Sequence, residues 1–283
     1  MIYLLFSVLS STAIFVLFKL FSKYKIDTLQ AIVINYATAF SFGLIFNDAQ
    51  ITVSEIIQTN WFIAAIGLGF LFIAIFNVMA LTAQRNGLSV ASVASKMSLI
   101  IPVIFGIYVN NESTEAQKLI GIALALVAVY LTSIKQKDNS VVTKSIYLPI
   151  ILFIGSGIID TSVNHFAPKG NIPLFLSSIF GIAAIIGFSL FTYKSITTKK
   201  RFQLKNIPFG ILLGVVNYGS MYFLLLALRV ENTESSTIFT INNIAILALS
   251  TLVGLILFKE NISKKNWIGI ILAFIAILLV TLA

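Results

Sequence analysis

The chain has no cysteine and a single histidine, His165. Disulfides, thiolate nucleophiles and Cys-ligated metals are therefore excluded, and one imidazole alone cannot build a His-based metal site. Charge is scarce as well. Only 10% of the 283 residues are Asp, Glu, Lys or Arg, against about 25% in a soluble domain. Such a chain cannot cover its surface with groups that water accepts. Enzymatic signatures are missing too: there is no P-loop lysine motif, no Gly-x-Gly-x-x-Gly, no His-Glu-x-x-His and no Gly-x-Ser-x-Gly. No connector is long enough for a nucleotide-hydrolysing domain, so an ATP-driven pump is not expected. Neither an enzyme nor a cofactor or metal is expected.

What the chain does have is apolar length. Hydrophobic residues make up 58% of it. They gather in stretches near the ~20 residues that a membrane-crossing helix needs. Ten such stretches are expected to be helices: 2–21, 28–46, 61–83, 88–109, 116–134, 146–164, 173–193, 207–229, 235–257 and 267–282. The first is too long for a signal-peptide core and lacks a small-residue cleavage site, so it is expected to remain as a helix. The fold class predicted is an all-α polytopic membrane protein. Its net charge of +9 does not point to nucleic acid, because Lys and Arg sit in connectors, where they meet lipid head groups. Alternate connectors hold most of them, including Lys23, Lys25, Arg85, Lys194, Arg201, Lys205, Lys259, Lys264 and Lys265. The positive-inside rule makes that side cytoplasmic and turns both termini outward.

The chain also repeats itself. Glu112 opens a polar stretch that leads into Ile120-Gly121-Ile122, and Glu260 opens one that leads into Ile268-Gly269-Ile270. Ala80-Leu81 matches Ala227-Leu228, which places Gly67 against Gly214. The halves expected are 1–138 and 139–283, with five helices each. An odd number makes the second half enter from the opposite face, so the prediction is ten transmembrane helices as two inverted repeats.

This pattern resembles the EamA-type branch of the drug/metabolite transporter superfamily. The residues that carry the likeness are Glu112 to Gly121, Glu260 to Gly269 and Pro102 in the fourth stretch; the second half reads Leu-Ala-Leu-Ser where that proline would fall. The resemblance implies a secondary transporter that exports or imports a small polar metabolite, often an amino acid, without ATP; the expectation for this chain is an exporter in a bacterial inner membrane. It also implies cytoplasmic termini, the reverse of the charge bias.

A polar group inside the hydrocarbon is costly unless it faces protein or a water-filled cavity. Lys96, flanked by Ser92, Ser95 and Ser98, would lie ~12 Å into its helix at 1.5 Å per residue. It is a candidate to hold a substrate carboxylate or phosphate, or it snorkels to the head groups. Asp160 is a candidate for proton coupling or for a substrate amine, or it is a helix-end carboxylate or the partner of Lys96. Together they would suit a zwitterion. The neutral candidates are Ser11, Asn35, Asn77, Ser95, Asn217, Tyr218, Asn242 and Asn243. For each the plainer alternative is an interhelical hydrogen bond worth ~0.6 kcal/mol. Asn242 and Asn243 match Ser95 and Lys96 in the repeat and are expected on the opposite wall of one site. Phe70, Phe72, Phe76, Tyr222 and Phe223 are candidates to line or gate it, and Gly87, Gly155, Gly157, Gly210 and Gly219 to allow close packing. Glu112 and Glu260 are read as helix caps beside a positive dipole end.

The partners expected are a small-molecule substrate, membrane lipid and protons as coupling ion, with no nucleic acid, in a monomer or homodimer. A membrane-embedded enzyme would need clustered Asp, His or Arg. A channel would need a ring of like groups around a pore.

Overall fold

The computed structural model describes residues 2–47, 53–101, 104–105, 116–133, 147–168, 170–198, 201–227 and 235–281. Among them are eleven α-helices and no strand. They are α1 (Ile2–Lys23), α2 (Thr28–Ile45), α3 (Val53–Ile57), α4 (Phe62–Arg85), α5 (Leu88–Met97), α6 (Ala116–Ser133), α7 (Tyr147–Phe166), α8 (Ile172–Thr198), α9 (Asn206–Ala227), α10 (Ser235–Ile256) and α11 (Lys264–Thr281).

Six helices have the length and apolarity to cross a bilayer: α1, α2, α4, α8, α9 and the Ile241–Phe258 stretch that holds most of α10. Leu119–Thr132 and Tyr147–Val163 are apolar but shorter. The chain is thus an all-helical, multi-pass membrane protein. The ten spans expected from hydropathy are not all met as single long helices. The fourth stretch departs most. Its helix α5 stops at Met97, Ser98 and Leu99 form a turn, and Ile100 and Ile101 are helical again. Serines explain the break, since Ser92 and Ser98 each turn their hydroxyl back to a carbonyl three residues earlier, in competition with the helix's own ladder.

Local chemistry sets the helix starts. Asp27 caps α2 by accepting from Gln30 N–H at 3.1 Å. Asn171 caps α8 through Leu174 N–H at 3.2 Å, and Ser263 caps α11 through Asn266 N–H at 3.1 Å. Between α4 and α5 the chain reverses within Asn86 and Gly87, and Gly87 takes φ +107°, a conformation that side chains resist.

The helices bury two cores. The larger joins α1, α2, α4, α8 and α9 around Phe15, Phe18, Phe21, Tyr36, Phe72, Phe76, Phe175 and Phe180. The smaller packs α5, α6 and α11 through Val93, Met97, Ala125, Ala128, Ile270 and Ala273. Without a hydrophobic drive inside lipid, close backbone approach replaces it. Gly214 on α9 shows how tight this is: an added Cβ there would sit 2.6 Å from the Asn35 carbonyl oxygen of α2. Large apolar side chains such as Ile63, Ile185 and Phe188 stay exposed around the outside, where lipid would cover them. Trp267 is half exposed at the start of α11, as expected of an interfacial ring. Trp61 instead packs edge-on against Phe175, with ring centroids 5.4 Å apart.

Candidate functional site

Five helices line a partly open cavity of about 120 Å³ between them. Its wall comes from Ser11, Ile14 and Phe15 on α1; Phe72, Ile75, Phe76 and Met79 on α4; Ser95 and Lys96 on α5; Ser156, Ile159 and Asp160 on α7; and Asn217, Ser220, Met221 and Leu224 on α9. α1, α4, α7 and α9 each contribute positions i, i+3, i+4 or i+7, the single face that a 3.6-residue turn presents, whereas α5 contributes the adjacent pair Ser95 and Lys96. One regularity stands out. Ser11, Ile14 and Phe15 each lie 145 positions before Ser156, Ile159 and Asp160. Phe72, Ile75, Phe76 and Met79 each lie 145 positions before Asn217, Ser220, Met221 and Leu224. Only Ser95 and Lys96 stand outside this pairing.

Three of the seven pairs differ in chemistry: Phe15 is matched by Asp160, Phe72 by Asn217 and Ile75 by Ser220, so the first set is the more apolar and the second the more polar. Lys96 is half-buried at the end of α5, and Asp160 is exposed to the cavity. Ser98 Oγ lies 3.4 Å from Asp160 Oδ2, so the turn that ends α5 also positions the carboxylate. The two charges feel one another electrostatically. Among the described residues no contact of salt-bridge length joins them.

Of the neutral candidates, Ser11, Ser95 and Asn217 reach the cavity. Asn35 stands one layer behind, its side-chain amide 3.1 Å from that of Asn217. It positions a wall residue and is not itself part of the wall. Tyr218 faces away, into an aromatic stack with Phe46 and Tyr222, at centroid distances of 6.0 and 5.4 Å. Its hydroxyl is buried with no hydrogen-bond partner among the described residues. Asn77 donates to Ile73 O of its own helix at 2.7 Å. Asn242 accepts from Ser7 Oγ at 3.0 Å, and neither it nor Asn243 lines the cavity, contrary to the expected opposite wall. Phe72 and Phe76 line it as expected, while Phe70 is exposed on the periphery. Pro102, Glu112, Arg229, Glu231 and Glu234 lie outside the described residues.

Residue reasoning alone had no reason to single out Ser156, Ser220 or Met79. Helical spacing from Asp160 and Asn217 would have found the first two, at i−4 and i+3. No group of three or more His, Asp or Glu able to hold a metal occurs among the described residues.

The model of the EamA-like transporter family matches residues 143–282. A protein of Haemophilus influenzae (strain KW20 / Rd), itself uncharacterized, is 31% identical over 97% of this chain and 95% of its own length. The chain belongs to the EamA-like transporter family. A solved crystal structure covers 99% of this EamA-like chain, and 96% of its own, with a TM-score of 0.60 at 13% identity. At that identity the likeness speaks for the fold alone.

Proposed function

We propose that this protein is a secondary transporter of the bacterial inner membrane. It moves a compact amphipathic metabolite, an amino acid or a related zwitterion, by alternating access. The observation that carries this reading is the central cavity, with Lys96 and Asp160 on its wall, no contact of salt-bridge length between them among the described residues, and phenyl rings beside polar side chains. A carboxylate on the substrate would meet Lys96, an amine would meet Asp160, and an apolar side chain would meet Phe15, Phe72 and Phe76. Its volume of about 120 Å³ is below the 300–1,000 Å³ of ordinary ligand pockets, which favours a small occupant. Asp160 is the carboxylate of this cavity and hence the candidate for proton coupling.

Alternating access needs two halves that can exchange roles. We assign them to residues 1–138 and 139–283, as inverted repeats of five spans each. The wall pairs 145 apart support this. So do contacts away from the cavity. Gly43 lies against Ser177, and Gly187 against Val33; the second contact is the first with both partners shifted by 144 positions and the halves exchanged. The family model, too, matches a stretch the length of one half. This register pairs Gly69 with Gly214, in place of the Gly67 expected from the sequence. The halves are not in the same posture. α1 packs on α4 and α5, whereas their counterparts α7, α9 and α10 show no comparable packing among the described residues. Such asymmetry suits one of two mirrored states.

The test is counterflow in proteoliposomes with a panel of amino acids and related metabolites. Saturable flux of one chemical class is expected, with a loss of about tenfold or more in Lys96→Ala and in Asp160→Asn. Unaltered flux in both variants would remove the site assignment. No saturable flux of any solute would remove the transporter reading itself.

A further inference from the structure

The polar contacts of Glu260 form a second constellation, one that the central cavity does not use. Glu260 lies in the connector between α10 and α11, at the Lys/Arg-rich end. It was expected to cap the helix that follows it. Ser263 does that work, and the Glu260 carboxylate crosses the bundle instead. Oε1 accepts from Leu88 N–H at 2.7 Å, and Oε2 is 3.3 Å from Ser89 N and 3.2 Å from Ser89 Oγ. Lys19 Nζ of α1 stands 3.1 Å from Oε1. Glu260 N–H is fixed in turn by Gly254 O at 3.0 Å.

The slot is cut to admit this carboxylate. A Cβ on Gly87 would lie 3.0 Å from Oε1, and one on Gly254 only 2.8 Å from Oε2. One acidic group therefore caps the positive N-terminus of α5, holds the ammonium of α1 and ties both to the α10–α11 connector. α5 has ten residues, so it is a rod about 15 Å long. Its first turn is gripped by Glu260, and its last carries Ser95 and Lys96 into the cavity. The contact joins α1 to α5, which pack on each other and on α4; among the described residues the counterparts α7, α9 and α10 show no comparable packing.

We propose that Glu260 is a latch. By gripping Lys19 and the start of α5 it holds the basic end of the transporter shut, and opening toward that side requires the carboxylate to let go. The proposal rests on the alternating-access reading for its purpose. Its physical content, a closed end held by one side chain, is measurable without a substrate.

The absence of native cysteine supplies the assay. Ser92 is fully buried on α5, between Ser89 at the latch and Lys96 at the cavity. In a Ser92→Cys background, modification by a membrane-impermeant thiol reagent is followed from each side of oriented vesicles. Slow labelling is expected from the basic side with Glu260 in place. Glu260→Gln and Lys19→Met should each speed it about tenfold or more, since charge-assisted bonds are lost only from the closed state. Their double variant should show less than the product of the two effects. Glu260→Asp, which keeps the charge, checks that a folded chain with a shortened latch falls between. If the labelling rate is unchanged in Glu260→Gln, or if Glu260→Gln fails to fold and Lys19→Met labels no faster, the latch is refuted. Solute movement is not read here, so the latch and the transport reading stand or fall separately.

Discussion

Gly67 and Gly214 look interchangeable in the sequence but sit in opposite environments, and Gly→Ala at each separates them sharply. At Gly214 the new methyl would lie 2.5 Å from Thr38 Cβ and 2.6 Å from Asn35 O. Backbone carbonyls do not swing away, so α9 must move off α2 by about 0.8 Å to restore a contact of 3.4 Å, the tight end of ordinary packing. Overpacking of this kind costs about 1–3 kcal/mol, roughly a five- to 150-fold shift in the folded population. The displacement would also reach the cavity, since Asn217 lies one turn further along α9 and meets the Asn35 amide. At Gly67 no atom lies within 4 Å of the added carbon. Alanine there should be neutral, or stabilise by up to about 1 kcal/mol through helix propensity. The assay is thermal unfolding in detergent, read by the loss of monodisperse protein. Equal midpoints for the two variants would refute the account of packing between α2 and α9.

Two further predictions concern buried polar groups. Tyr218→Phe removes a hydroxyl without a partner, so stability should hold or rise by about 1 kcal/mol; a loss of transport would instead mean that substrate reaches the hydroxyl. Gln30 accepts from Gln203 N–H and Asn206 Nδ2, at 2.9 and 2.7 Å, and donates to Arg201 O at 3.1 Å. Gln30→Leu would strand those groups, at about 1–3 kcal/mol for each that water cannot reach, and should lower the unfolding midpoint well below that of Gln84→Leu, whose side chain makes one bond among the described residues, to Thr28.

Apolar periodicity carried the helices, because length and hydropathy are local properties. Each stretch expected to be helical contains a helix, with boundaries close to those expected for Ile2–Lys23 and Phe62–Arg85. The interruption after Met97 was not legible, since serine is tolerated in a membrane helix and only its bonding choice reveals the break. Lys96 and Asp160, both on the cavity wall, were legible as candidates for a different reason: charge in an apolar run is rare enough to mark a site to examine. Asn77, Asn242 and Tyr218 carried the same polar signal but face their own helix, α1 and an aromatic stack. Composition cannot tell these destinations apart. Glu260 was read as a cap from its place before α11, and it is a cap, but of a helix some 170 residues away in sequence. Long-range pairing of that kind leaves no trace in local pattern.

A carboxylate at Asp160 and a phenyl ring at Phe15 occupy matched places on facing walls. Two identical chains related by a dyad could never achieve this, because every substitution would appear on both sides at once. If the two halves are joined repeats, as proposed, covalent linkage would free one wall to turn hydrophilic while the other stays greasy. A passenger with distinct ends would then be received in a single orientation, a discrimination closed to a symmetric pair.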